Sequence, residues 1–140
     1  MAENAVALGQ RVARRFMSRG LRPRPSELAV QMGVEIAQVE SPPPVQPRLR
    51  SEYTSDPPRI VLYAAPITSL GVAIHANQRF DMMRADLCEL HIAHELFHHL
   101  EAGERFGPLT REQVEAAAHA FAKELMELDF GPEELSDLVA

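Results

Sequence analysis

Apolar positions along the 140-residue chain change their spacing several times, and each spacing implies a different element. From about residue 4 to 19, Val6, Val12, Ala13, Phe16 and Met17 fall near one stripe, which predicts a packed helix ending at Gly20. In "RPRPSELAVQMGV", Pro25 and Ser26 suit a helix start, Leu28, Ala29 and Met32 its buried side, and Gly33 a left-handed stop. "VEIAQVE" alternates loosely, as a strand does, whereas "SPPPVQP" lacks the donors a ladder needs and reads as an extended loop. "RLRSEY" and "RIVLYA", on either side of "TSDPP", predict a hairpin, because both arms carry strand-forming residues around a turn.

Residues 66 to 80 carry no clear period. A strongly helical stretch follows from about Met83 to Ala102, with Gly103 as its expected end. Thr110 and Gln113 then form a T-x-x-Q capping box that opens a helix running to about Leu128, and Gly131 with Pro132 suits a short final helix. This is the pattern of one α+β domain over residues 1–140: amino-terminal helices over 1–33, a small sheet over 34–65, and two helices over 82–128.

A chain of this length buries about two-thirds of its unfolded surface and needs no staples. The lone cysteine, Cys88, reads as a small apolar filler and fits a reducing compartment. No apolar run approaches the roughly 20 residues that span a bilayer, and "MAENAVALGQ" lacks the apolar core of a signal peptide. The expectation is a cytoplasmic chain with no membrane partner. The net charge of −6 hides a split, for residues 1–50 carry eight arginines against four glutamates and the remainder is acidic. "RVARRFMSRG" reads as the solvated face of an amphipathic helix, although an arginine-rich start can also touch nucleic acid.

Candidate chemistry is concentrated in "IAHELFHHL". Residues four apart on a helix lie one turn apart on one face, so the rings of His94 and His98 can converge on one ion. Glu95 lies on an adjoining face, placed to act as a base without binding the metal. Ile92, Leu96 and Leu100 anchor this helix in a core. Catalytic zinc takes three protein ligands and leaves one position open, so a further donor is required. The choice is Glu115, on a helix whose Ala118, Phe121, Ala122 and Leu125 form an apolar stripe: a carboxylate on that packed side is costly to bury unless a cation meets it. Glu112 and His119 compete for the role, and His119 could equally be ligand, outer support or transition-state donor. His91 shares the face of His94 and His98, but three donors along two turns of one helix converge poorly. His99 is expected to point elsewhere, solvated or capping, and His75 to have a structural role.

HELFH followed by E-x-x-A-x-x-F-A-x-x-L-M resembles the ImmA/IrrE family of bacterial zinc metallopeptidases. That resemblance implies a zincin-like domain, one zinc per chain on His94, His98 and Glu115, and Glu95 as general base. It also implies a protein substrate, typically a helix-turn-helix repressor. Nearly the whole chain is covered, with departures: Phe97 stands where the family often has glycine, His119 where it has Asn or Asp, and the Leu-Leu-Met-Pro ending is changed.

Three functions compete on the sequence. The first is a zinc endopeptidase acting on a cytoplasmic protein, with His119, His75 and Tyr63 as candidate oxyanion donors. The second is a non-catalytic, metal-stabilised binding or toxin–antitoxin module. The third is a DNA-binding module, for "SELAVQMGV" looks like the first half of a helix-turn-helix; the strand spacing and prolines after Gly33 leave no room for a recognition helix. No direct nucleic-acid contact is therefore expected.

Overall fold

The computed structural model describes residues 4–18, 20–77, 84–104 and 106–128. Helix α1 (Ala5–Arg14) is opened by the Asn4 side chain, which accepts from the Ala7 amide at 2.8 Å. It stops earlier than its apolar stripe suggests: Phe16 and Met17 lie beyond its end and still pack on the core, and a single bridge joins Ser18 to Leu21. Val6 is 48% exposed, so the buried stripe runs through Leu8, Gly9, Val12 and Ala13 instead. Helix α2 (Pro25–Gln31) begins at the expected proline, and Gly33 at φ +74° ends the segment in the left-handed region that an L side chain resists.

Three strands follow: β1 (Glu35–Val39), β2 (Ser51–Ser55) and β3 (Pro58–Tyr63). They form one sheet in the order β1-β3-β2, with β1 parallel to β3 and β2 antiparallel to it as the hairpin pattern requires. The register pairs Ser51 with Leu62 and Tyr53 with Ile60, which puts these four residues on one face. That face is the buried one, since Ile60 and Leu62 are core residues.

Residues 64–77 form helix α3 (Ala64–Asn77), where the sequence shows no period. The segment is apolar on most sides, so no stripe marks it, and its Ile, Val and Thr residues favour a strand locally; packing against α4 and β3 decides otherwise. Helix α4 (Arg84–Glu104) is the hub, contacting α2, α3, α5, β2 and β3. Gly103 lies inside it and is not its stop; the left-handed glycine of the following turn is Gly107. Helix α5 (Arg111–Met126) opens with the complete Thr110–Gln113 capping box and ends at Glu127 in the left-handed conformation. The short helix expected after Gly131 lies outside the described residues.

α1 packs along α5 at very close range. A Cβ on Gly9 would stand 2.1 Å from the Ala117 carbonyl oxygen and 2.9 Å from the Ala120 Cβ, so only glycine fits there. The core joins all these helices to the sheet, with Phe97 and Phe121 as its largest fully buried side chains. Among the described residues no helix is long and apolar enough to cross a membrane.

Candidate metal centre

α4 presents His94, Glu95 and His98 to a cleft of about 880 Å³ whose opposite wall is the whole of β2, Ser51 to Ser55. Ile92, Leu96 and Phe97 bury the other side of the helix, fixing which face is left for the cleft. Glu115 enters from α5, held at the correct phase by Ala118, Phe121, Ala122 and Leu125, all of which are buried.

The Glu115 carboxylate lies between both imidazoles of α4. His94 Nε2 is 2.9 Å from its Oε2, and His98 Nε2 is 3.2 Å from its Oε1. The structure therefore brings together the expected residues His94, His98 and Glu115, with Glu95 beside them. Glu112 is exposed and takes no part. His119 Nε2 stands 3.9 Å from Glu115 Oε2, and its ring centroid is 5.2 Å from that of His94. Donor atoms of His94, Glu95 and His98 form one group within 4.8 Å of one another, and those of His94, Glu115 and His119 form a second; either can hold a metal ion.

The charges in this cluster are strongly coupled. Burial alone would lower the pKa of His94, but the carboxylates of Glu115 and Glu95 outweigh it and push the imidazole up to about 9. The same pairing with His94 and His98 holds Glu115 well below the usual carboxylate range. Burial works to raise Glu95, yet His94, the charge of His98 and the Ser51 hydroxyl together leave it below its ordinary value. Burial and the neighbouring charge of His94 bring His119 down to about 4.

Glu95 is anchored from the sheet, for the Ser51 hydroxyl donates to its Oε2 at 2.8 Å and both residues are buried. His94 Nδ1 faces the same oxygen at 3.5 Å, too long for a well-formed hydrogen bond. Ser51 is absent from any reading of the sequence alone; its one signal is a small polar residue on the strand face that otherwise points inward.

His99 is not free in solvent. Its Nδ1 meets the Tyr53 hydroxyl at 2.7 Å and its ring packs edge-on against that tyrosine, tying β2 to α4 beside the cleft. His91 is fully buried, with Nδ1 on the Leu87 carbonyl at 2.7 Å, and burial brings its pKa down to about 4. Its role is structural packing within α4. Tyr63 does not line the cleft, and its hydroxyl donates to Glu52 at 2.5 Å. Burial and that carboxylate push the phenol up to about 12. The His75 side chain lies outside the described residues.

Imidazole and carboxylate donors suit a divalent metal ion, and in each of the two groups the donor atoms lie close enough to share one. What fold and site define together is an α+β domain with a partly buried histidine–carboxylate cluster able to hold a metal ion. No family model, curated protein or solved structure matches the chain.

Proposed function

We propose that the chain is a zinc-dependent endopeptidase whose metal is held by His94, His98 and Glu115. The observation that supports this most is the pairing of two α4 imidazoles with one α5 carboxylate while Glu95, in the same cleft, is held separately by Ser51. A zinc ion there supplies Lewis acidity towards a carbonyl and brings the pKa of a water down to about 7. Glu95 has one oxygen fixed by Ser51, which leaves the other to take a proton from the attacking water and return it to the leaving amine. Its pKa below the ordinary range keeps it in the basic form near neutrality.

β2 supports a polypeptide substrate. It is an outer strand of the sheet and lines the cleft along its full length, so its outward backbone groups can pair with an extended chain laid across the cluster. The motif resemblance adds the substrate class, a helix-turn-helix repressor in the cytoplasm. A DNA-binding role is disfavoured, since a strand and not a second helix follows α2.

The test is to incubate zinc-loaded wild type and Glu95→Gln with a peptide library and sequence the new termini. The expected outcome is about one zinc per chain in both proteins and cleavage by the wild type alone. Equal cleavage by Glu95→Gln would remove Glu95 from the role of base, and no cleavage by either would favour the second reading. That reading is a metal-stabilised binding module, and the specific observation on its side is the additional imidazole of His119 close to the cluster.

A further inference from the structure

We propose that Tyr53 and His99 are a positioning pair, which sets how β2 stands towards a peptide in the cleft and so governs substrate binding without touching the reacting atoms. The inference rests on the peptidase reading above. Two side chains of β2 reach α4: the Ser51 hydroxyl meets Glu95 Oε2 at 2.8 Å, and the Tyr53 hydroxyl meets His99 Nδ1 at 2.7 Å. Along the strand Ser51 and Tyr53 are two residues apart, about 6.7 Å, and along the helix their partners are four residues apart, about 6 Å. The two spacings nearly match, so both contacts form together only when β2 runs alongside α4. Ser51 fixes one point of the strand on the helix. Tyr53 fixes a second, and with it the direction of the strand.

The same two residues carry the backbone groups that face outward. The Tyr63 amide donates to the Arg50 carbonyl at 2.8 Å, one step beyond the register that pairs Ser51 with Leu62. Bonding alternates along an antiparallel pair, so Glu52 and Thr54 turn their backbone groups to β3, whereas Ser51 and Tyr53 turn theirs to the free side of the sheet. An extended peptide added at this edge pairs with the N–H and C=O groups of Ser51 and Tyr53. Each of these residues thus holds α4 by its side chain and offers its main chain to the substrate. A shift of Tyr53 off His99 therefore moves the peptide-binding groups relative to His98, the neighbour of His99 and a member of the metal cluster.

The Tyr53 hydroxyl is taken up by His99, and the two rings lie edge-on with 5.5 Å between centroids. This phenol acts through its strand and not as a donor to the scissile carbonyl. Loss of the pair weakens the grip on ground state and transition state alike, which raises KM and spares kcat.

The experiment is steady-state kinetics on the zinc-loaded full chain, with a peptide that the wild type cleaves. Tyr53→Phe, His99→Phe, His99→Asn and the double variant of the two phenylalanine changes are compared, with zinc content and circular dichroism measured on each. The expected result is unchanged zinc content and a KM raised roughly fivefold in Tyr53→Phe and in His99→Phe, with kcat within about twofold of the wild type. The double variant should show no further rise, and His99→Asn, whose amide stands where Nδ1 stood, should recover much of the loss. An unchanged KM in Tyr53→Phe, a fall in kcat at constant KM, or loss of zinc from a folded variant overturns the positioning role and leaves the peptidase reading in place. Should Tyr53→Phe not fold, the two His99 variants decide by the same parameters. A wild type that cleaves no peptide overturns this inference together with that reading.

Discussion

The Ser51 hydroxyl donates to Glu95 Oε2 across 2.8 Å, joining the first residue of an outer strand to the centre of the helix that carries His94 and His98. Both residues are largely buried, so water replaces this bond poorly. Ser51→Ala should lower stability by about 1–3 kcal/mol, because a buried carboxylate oxygen loses its donor. Ser51→Thr, which keeps the hydroxyl, should recover much of the loss. Urea denaturation of the three proteins measures this; equal midpoints for wild type and alanine variant would show that the bond contributes nothing.

Gly9→Ala should destabilise the fold even though alanine is the better helix former by about 1 kcal/mol. The new Cβ would meet backbone atoms of α5, the Ala117 carbonyl oxygen and the Phe121 nitrogen, which cannot turn aside as a side chain can. The expected cost is at the upper end of overpacking, about 3 kcal/mol. An alanine variant with a raised thermal midpoint would contradict the close α1–α5 approach.

Glu89 joins α4 to the start of α2, accepting from the Ser26 amide at 2.8 Å and from the Ser26 hydroxyl at 2.5 Å, with Arg24 at 3.4 Å. It is buried, and it meets an otherwise unpaired amide in the first turn of α2. Glu89→Ala is expected to cost about 1–3 kcal/mol. A double-mutant cycle with Ser26→Ala should give a coupling energy well above zero; independent effects would mean that the two residues do not act together.

pH should act on the metal-free protein from both sides. The folded pKa of His94, about 9, lies above its ordinary 6.5, so its contribution is complete below 6.5 and is lost as pH rises towards 9. His91 and His119 have folded values near 4, below 6.5, so the unfolded chain binds more protons and stability falls as pH drops from 6.5 towards 4. Metal-free stability should therefore peak near neutrality, as chemical denaturation across this range would reveal. On the proposed ligand set zinc would have to displace the His94 proton, so its affinity should rise with pH up to about 9. A zinc titration with flat affinity from pH 6 to 9 would place His94 outside the metal shell.

Local rules carried much of the fold and half of the site. A helix turn alone puts His94 and His98 on one face, a capping box alone starts α5 at Thr110, and Gly33 alone marks the end of α2; each depends on residues a few positions apart. The hairpin of β2 and β3 is legible for the same reason, since its pairing partners flank one turn.

Tertiary packing decided the rest. The sequence offers Glu112, Glu115 and His119 as rivals, and only the phase at which α5 lies against α4 turns Glu115 inward and leaves Glu112 exposed. Helix α3 forms without a stripe because contacts with α4 and β3 outweigh its local strand preference. Tyr53 meets His99, Ser51 meets Glu95 and Gly9 lets α1 settle on α5 across separations of 44 residues or more. Side chains so far apart in the chain have no common periodicity to betray them. Their contacts exist only once burial of the apolar faces has fixed how the helices and the sheet lie against one another.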